Sequence, residues 1–225
     1  MLTAINNGER VFPEYGIIAQ CPECGENVIP VLGSINVHHW RHQVDCGCDF
    51  QAGETEWHRN LKSLFHKNFI EVGKGEHRAD ILLPNGTCIE FQNSAISEED
   101  IIRRSANYKR IIWLFNIAKQ NINGQVDDWV DENSKWNIKY IRPHQYFNKC
   151  MPNLFFDLGQ SGLLLKVTAM YYGFEFNKRT GYNERFLRAV GDCIHRDEEF
   201  PDITHAIDGS KRNVIIDNSI QLSIF

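Results

Sequence analysis

The segment from Arg78 to Gln92 constrains the fold more than any other part of the sequence. Two runs of β-type residues flank Pro84-Asn85-Gly86, which is the pattern of a β-hairpin. Proline presets φ for a type I turn and glycine suits the left-handed bulge position, so we predict a three-residue loop. In that register Asp80 faces Glu90, and Gln92 lies on the same side of the sheet as Glu90. A two-residue Asn-Gly loop would instead shift the register by one residue and separate the two carboxylates.

The composition is that of an ordinary soluble protein with no membrane span. Among 225 residues, 42% are hydrophobic and 24% are charged, a balance typical of globular domains. No apolar run approaches the roughly 20 residues of a membrane span, and the N-terminal residues lack the apolar region of a signal peptide. We therefore expect a cytoplasmic protein. Because the net charge is −5, nucleic-acid binding would require a local basic patch or a bound cation.

A group of cysteine and histidine residues near the N-terminus predicts a zinc site. The seven cysteines are an odd number in a chain expected in the cytosol, which argues against a disulfide framework. A Cys-x2-Cys pair followed by a His-x2-His pair matches the ligand spacing of a tetrahedral structural zinc ion. The predicted ligands are Cys21, Cys24, His39 and His42. Cys46 or Cys48 could replace one of the histidines, because both lie close by in sequence.

A helix is predicted over residues 53–68, and one side of it carries polar residues. Glu54, His58 and Lys62 follow one another at i, i+4 spacing along the side that also carries the apolar stripe. A helix with Glu, His and Lys on its core-facing side packs against something polar, such as the carboxylate face of the hairpin. If Thr55 is the N-cap, however, Glu54 lies just outside the helix.

The segments after the hairpin predict a sheet with a crossover helix. Ser97 is an N-cap candidate for a helix over 98–108, in which Arg104 and Tyr108 share a face. The apolar run 110–115 is typical of an interior strand, so the helix would cross over to a parallel neighbour. Farther on, the sequence predicts a loop over 120–134, a second hairpin from 153–158 and 162–168, and a helix over 184–195.

The two hairpin carboxylates indicate metal-assisted phosphodiester chemistry. Asp80 and Glu90, with Glu54 from the helix, would offer hard oxygen ligands to Mg²⁺ or Mn²⁺. Such an ion can activate a water for attack at phosphorus and can neutralise the developing charge. Nucleases with an Asp…Glu-x-Lys pattern carry a lysine where this chain has Gln92, which can form hydrogen bonds but brings no charge. Lys62 could supply the missing cation.

Taken together, these motifs resemble those of a known family. In chain order they read Cys21-x2-Cys24, His39-x2-His42, Glu54-x3-His58-x3-Lys62, Arg78-Ala-Asp80, Glu90-x-Gln92-x-Ser94, Arg104-x3-Tyr108 and Trp113. The pattern resembles the competence protein CoiA-like family, which is assigned to the PD-(D/E)XK nuclease superfamily. The resemblance runs in order from about residue 21 to 116 and continues loosely through the second hairpin.

The resemblance implies a fold, an activity and a set of site residues. The fold would be α+β, with a PD-(D/E)XK restriction-endonuclease-like core of αβββαβ type, a mixed sheet and an N-terminal zinc knuckle. The activity would be metal-dependent cleavage of DNA, with Asp80 and Glu90 as Mg²⁺ or Mn²⁺ ligands. Gln92 would take the place of the lysine, and Glu-x-Gln is this family's usual form. The remaining predicted site residues are Glu54, His58 and Lys62 for catalysis, and Ser94, Arg104 and Tyr108 for substrate contact. A structural role for Arg104 and Tyr108 stays open.

We expect three regions: an N-terminal β and zinc-knuckle region (1–50), a nuclease-like core (51–170) and a C-terminal extension (171–225). DNA hydrolysis is the favoured function, in DNA uptake, recombination or defence, because an inactive site has no reason to keep burying charges. The alternative is a catalytically inactive nucleic-acid-binding accessory protein with a nuclease-like fold. The absent lysine and the low overall basicity favour that alternative.

Overall fold

The structure is a computed structural model that describes residues 1–34, 37–44, 46–48, 54–75, 77–160 and 162–196. It divides into two compact units, with the boundary between Cys88 and Ile89. The described part of the first unit ends at Cys88, and that of the second runs from Ile89 to Arg196. The three regions expected from the sequence stay a prediction.

A small antiparallel sheet begins the first unit. Its strands are β1 (Ala4–Asn6), β2 (Glu9–Val11), β3 (Ala19–Gln20), β4 (Asn27–Val31) and β5 (His39–His42), in the order β2-β1-β3-β4-β5. Val28 and Trp40 are buried, and the Trp40 indole N–H donates to the carbonyl oxygen of Val11 at 3.1 Å. Cys21 and Cys48 belong to the same small core.

Helix α1 (Glu56–Lys62) is shorter than the predicted helix over 53–68. Thr55 is its N-cap, and the Thr55 hydroxyl oxygen accepts from the amide N–H of His58. Glu54 therefore precedes the helix, which is the alternative that the N-cap rule raised. A short 3-10 helix (Lys67–Phe69) follows α1, and the predicted start at Gly53 lies outside the described residues.

Two strands complete the first unit before the predicted turn. Strand β6 (Ile70–Lys74) pairs antiparallel with β7 (His77–Leu82). Ile70 pairs with Ile81, and Val72 pairs with Ala79. The side chains of Ile70, Ile81 and Ala79 are fully buried. This register places Glu71 opposite Asp80.

The turn after β7 is the predicted three-residue loop. The amide N–H of Leu83 donates to the Thr87 carbonyl oxygen, and the amide N–H of Gly86 donates to the Leu83 carbonyl oxygen, both at 2.9 Å. Gly86 has φ +87°, the left-handed conformation that a glycine bulge requires. The Asn85 side-chain oxygen also accepts from the Thr87 amide at 2.8 Å. The register prediction for the turn is therefore confirmed at Leu83 and Thr87.

The second unit is a mixed sheet with few helices. Strand β8 (Thr87–Gln92) crosses the unit boundary and is followed by α2 (Glu98–Asn107), β9 (Arg110–Asn116), α3 (Ala118–Ile122), β10 (Val126–Val130), β11 (Trp136–Ile141), a 3-10 helix (Gln145–Cys150), β12 (Leu154–Asp157), β13 (Leu163–Asn177) and β14 (Tyr182–His195). The strand order within this unit is β10-β11-β14-β13-β12-β9-β8. Strands β9 and β12 are parallel, whereas β12 and β13 form the second hairpin predicted from the sequence.

Large apolar residues fill the core of the second unit. Phe147 makes edge contacts with the rings of Phe115 and Phe156, with both pairs of ring centroids 5.0 Å apart. Trp113 is fully buried and stacks on Phe115. The predicted interior strand over 110–115 is confirmed as β9, and the chain is a mixed α+β protein.

Two predictions for the second unit were wrong. Residues 184–195 belong to strand β14 rather than to a helix, since they pair with both β11 and β13. Residues 120–134 are not a loop throughout, because they contain the end of α3 and all of β10. No helix among the residues that the structure describes is both long and apolar enough to span a membrane.

Candidate functional site

Four side chains of the first unit form a cluster suited to a metal ion. The ligand atoms of Cys21, Cys24, His42 and Cys48 all lie within 4.8 Å of one another. The His42 Nε2 atom is 3.4 Å from the sulfur of Cys24 and 3.6 Å from that of Cys48. The knuckle closes tightly, because the Gly25 amide donates to the Cys21 carbonyl oxygen at 3.0 Å. A Cys3His set with this spacing could hold a metal such as zinc.

His39 was predicted as a ligand and is not part of this cluster. His39 and His42 lie three residues apart on strand β5, and residues an odd number apart on a strand project to opposite faces. The His39 Nδ1 atom instead lies 3.0 Å from the carbonyl oxygen of Val37. Cys48 takes the predicted place of His39, as the alternative ligand assignment allowed.

A buried lysine lies among three carboxylates elsewhere in the first unit. The Lys62 Nζ atom is 2.5 Å from Glu54 Oε1, 2.8 Å from Asp80 Oδ1 and 3.3 Å from Glu71 Oε1. Lys62 itself is only 5% exposed. We call these four residues the Lys62 cluster. The sequence predicted that polar residues near α1 would contact a carboxylate of the hairpin. Lys62, which also pairs with Glu54, makes that contact with Asp80.

Each member of the Lys62 cluster is positioned by a different local feature. Lys62 is the last residue of α1, and Glu54 precedes the Thr55 cap at the other end of that helix. Asp80 lies within β7, and Glu71 lies opposite it on β6. Side chains opposite one another on antiparallel strands share a face, so both strand carboxylates reach the same lysine.

Glu71 was missed by sequence reasoning. It is 2% exposed and has φ +54°, an uncommon value for a residue other than glycine. Its carboxylate accepts from the amide N–H of Leu2 at 3.1 Å, and the Arg10 guanidinium donates to its carbonyl oxygen at 3.2 Å. A charged residue between Ile70 and Val72 in an apolar strand was the signal that could have identified it.

Electrostatics keep Lys62 in its charged form. Burial alone would lower the pKa of its ammonium, but the carboxylates of Asp80, Glu71 and Glu54 outweigh that penalty and raise the pKa well above its usual value of 10.5. Lys62 is therefore a fixed cation and not a proton acceptor at neutral pH. The cluster as a whole carries more negative than positive formal charge.

The other helix residue predicted for catalysis has a local partner. The His58 Nδ1 atom lies 2.8 Å from the Thr55 hydroxyl oxygen, at the start of α1. The His58 ring also contacts the Trp57 ring edge-on, with centroids 5.1 Å apart. His58 is thus held at the N-terminal end of the helix whose last residue is Lys62.

An ion pair joins the Cys21–Cys24 knuckle to strand β7. Arg78 pairs with Glu23, which lies between the two knuckle cysteines. Arg78 precedes Asp80 by two residues on β7. Two features that the sequence predicted separately are therefore connected within the first unit.

The predicted site residues of the second unit form two further contacts. Glu90 is 2% exposed, and its Oε2 atom accepts from Arg104 Nη1 at 2.8 Å. The Gln92 amide nitrogen donates to the carbonyl oxygen of Ser94 at 2.8 Å. Tyr108 is buried at the C-terminal end of α2. Because Asp80 belongs to the first unit and Glu90 to the second, their meeting stays a prediction.

The fold is a mixed α+β arrangement, and part of it matches a known family. Residues 70–152 match the model of the family described as competence protein CoiA, nuclease-like domain, which confirms the resemblance to the CoiA-like family. The matched segment contains Glu71, Asp80, Glu90 and Arg104, whereas Lys62 and the Cys3His cluster precede it. Comparison with curated proteins and with solved structures gives no match.

Proposed function

We propose that the protein is a metal-dependent nuclease that hydrolyses DNA phosphodiester bonds. The observation that carries the proposal is the charged Lys62 ammonium at 2.8 Å from Asp80, in a buried and strongly polar cluster. The match of residues 70–152 to a nuclease-like domain supports it. The element order α1-β6-β7-β8-α2-β9 supports a core of the αβββαβ, PD-(D/E)XK type.

In this proposal Lys62 supplies the cation that the Glu-x-Gln motif lacks. Gln92 is neutral, so it can orient a water or a phosphate oxygen but cannot balance charge. A fixed ammonium beside Asp80 balances negative charge that develops on the phosphoryl oxygens during attack. Glu54 and Glu71 hold the ammonium in place, so that it requires no reorganisation during the reaction.

Asp80 and Glu90 would hold Mg²⁺ or Mn²⁺ in this proposal. Carboxylate oxygens are the ligands that these hard cations prefer. The three-residue turn supports the pairing, since its register predicts Asp80 opposite Glu90. When bound, the ion would activate a water and stabilise the charge at phosphorus.

Cleavage assays with plasmid and single-stranded DNA test the proposal. The purified protein should cut at least one substrate with Mg²⁺ or Mn²⁺, and cutting should stop in EDTA. Asp80→Ala and Lys62→Met should each lower the rate at least about a hundredfold, the loss typical of a removed transition-state contact. Glu99→Ala, which removes an exposed carboxylate on α2, is the matched control and should cleave normally.

Two results would contradict the proposal. One is the absence of cleavage with either metal on either form of DNA. The other is cleavage that survives Asp80→Ala in full, which would indicate a contaminating nuclease.

One observation favours the alternative, a nucleic-acid-binding protein that does not cleave. Glu90 is buried against Arg104, so a protein cation already compensates its charge. In that case DNA binding would be the same in EDTA as in Mg²⁺ or Mn²⁺, and no cleavage would be found.

A further inference from the structure

One face of the second unit's sheet carries aromatic and cationic side chains side by side. Strand residues alternate between the two faces, and Ile138, Tyr140, Leu187 and Ala189 point into the core. Their neighbours in sequence therefore point outward. Pairing aligns Asp127, Lys139, Arg188 and Tyr171 in one row across strands β10, β11, β14 and β13.

The rings and cations of this face contact one another. The Arg188 guanidinium lies 5.8 Å from the ring centroids of both Trp129 and Phe186. The Lys139 ammonium is 5.4 Å from the Phe186 ring, and the Tyr171 ring meets Phe186 edge-on at 6.1 Å. We call these five residues the aromatic–arginine face. Trp129 is 39% exposed and Tyr171 is 56% exposed, so both rings are accessible to a ligand.

The backbone fixes the ring at the centre of this face. Phe186 pairs with Gly173 on the neighbouring strand. A Cβ atom at position 173 would lie 2.6 Å from the Phe186 ring, so the ring lies directly over the glycine. The absence of a side chain at Gly173 therefore gives the Phe186 ring room to lie flat against strand β13.

The charge that remains uncompensated on the β13–β14 hairpin is positive. Both acids of its distal part are paired, Glu175 with Lys139 and Glu184 with Arg142. Arg188 has no ion pair within the described part of the chain, and the same holds for the exposed turn residues Lys178 and Arg179. Asp127 lies opposite Lys139 at the edge strand of the row, and its carboxylate would oppose an anion there.

We propose that the aromatic–arginine face binds single-stranded nucleic acid. Accessible rings on a sheet stack unpaired bases, and an interleaved arginine contributes both stacking and attraction to phosphate. Duplex bases are stacked on one another and cannot reach such rings. An apolar protein partner would bury Arg188 without a counter-charge, which is unfavourable. This binding requires neither metal nor the Lys62 cluster, so it goes beyond the proposed hydrolysis.

Fluorescence anisotropy with a fluorescein-labelled oligothymidylate tests the proposal. The full chain is titrated in EDTA, so that cleavage does not interfere. Tyr171→Ala should weaken binding about tenfold, in line with the loss of one base stack. Arg188→Gln should weaken binding and reduce the slope of log K against log salt by about 0.7, the value for one phosphate contact on a single strand.

Matched controls come from elsewhere on the surface. Tyr15→Ala removes a tyrosine that is 90% exposed in the first unit, and Arg103→Gln removes an exposed arginine of α2. Both should bind as the wild type does, and Tyr171→Phe should retain binding because its ring is kept. Circular dichroism checks that Tyr171→Ala and Arg188→Gln are folded.

Three results would overturn the proposal. The first is unchanged affinity in both Tyr171→Ala and Arg188→Gln. The second is a duplex competitor that displaces the oligonucleotide as effectively as an unlabelled single strand does. The third is self-association of the wild type that Tyr171→Ala abolishes without altering oligonucleotide binding, which would make this face an interface between copies. A wild-type protein that binds the oligonucleotide but cleaves no DNA would contradict only the proposed hydrolysis.

Discussion

At the scale of single residues, Lys62 forms ion pairs with three carboxylates of the first unit. Its ammonium neutralises part of the charge of these carboxylates, of which Glu71 is buried and Glu54 and Asp80 are partly exposed. Removing one partner from a buried ionic group costs more than the pair contributes, because the remaining charges are left without compensation. The lysine is therefore important for stability as well as for the proposed reaction.

Lys62→Met should destabilise the protein by about 3–5 kcal/mol, the usual cost of breaking a buried ion pair. Urea unfolding followed by circular dichroism measures the change. The matched control is Lys149→Met, which breaks an exposed pair with Glu98 and should cost less than about 0.5 kcal/mol. Equal stability of Lys62→Met and the wild type would show that the cluster carries no such energy.

The stabilisation from Lys62 should disappear at high pH. Its pKa is raised in the folded state above the usual 10.5, so the stabilisation is complete below about pH 10.5 and decreases as pH rises toward the folded pKa. The difference in unfolding free energy between wild type and Lys62→Met should shrink over that range. Tyr140, whose pKa burial raises to about 12, titrates in both proteins and cancels in the difference. A difference that stays constant above pH 10.5 would refute this.

Variants of Cys48 and His39 should differ in their effect on metal content. Cys48→Ser should reduce bound zinc from about one ion per chain to near none, since Cys48 belongs to the Cys3His cluster. His39→Ala should keep the metal. Elemental analysis of the purified variants measures zinc, and zinc lost from His39→Ala but kept in Cys48→Ser would reverse the assignment.

Sequence reasoning identified some of these residues and not others, for physical reasons. The i, i+4 spacing predicted Glu54 and Lys62 on one side of a helix; Glu54 instead precedes the Thr55 N-cap, yet its carboxylate still reaches Lys62. His39 lies outside the Cys3His cluster because His-x2-His spacing brings both rings together on a helix but not on a strand. Glu71 joins Lys62 through strand pairing, which no local pattern encodes.

At the scale of elements, the turn after β7 is the clearest case of local determination. Proline, asparagine and glycine each have a specific role in it, and the loop forms as predicted. The strand β14 is the opposite case. Phe186, Leu187, Val190 and Ile194 fit helical spacing, yet β14 is a strand because it pairs with β11, from Ile141↔Phe186 to Trp136↔Gly191. When apolar residues fit the spacing of a helix and also that of a strand, pairing with residues distant in sequence determines which structure forms.

Gly86→Ala should destabilise the hairpin by about 1–2 kcal/mol, because a Cβ atom disfavours the left-handed conformation at φ +87°. Thermal unfolding measures the effect. Gly73→Ala is the control, since Gly73 has open space around its Cα and no positive φ. If Gly86→Ala and Gly73→Ala lose equal stability, the loss does not come from the left-handed conformation of Gly86.

At the scale of the whole molecule, the two units have different sources of stability. The small sheet of the first unit carries the Cys3His cluster within its core. The second unit's core consists of large apolar residues. A metal ion bound to the Cys3His cluster should therefore stabilise the first unit more than the second.

Zinc chelation should raise hydrogen exchange in strands β1 to β5 and leave β9 and β12 protected. Mass spectrometry of peptides from the same digest, with and without chelator, measures both regions at once. The interior strands of the second unit act as the internal control. A uniform rise across both units would show that the metal stabilises the entire chain.

The match over residues 70–152 has a consequence for anyone who shortens this chain. A fragment cut at those bounds ends before β12 begins, so β9 would lose its parallel neighbour. It would also lack β14, the partner of β11. Two strands with large apolar side chains would then present unpaired backbone edges, which are templates for aggregation. We therefore expect a fragment limited to residues 70–152 to aggregate, whereas a chain that keeps β12 and β14 leaves neither β9 nor β11 without these partners.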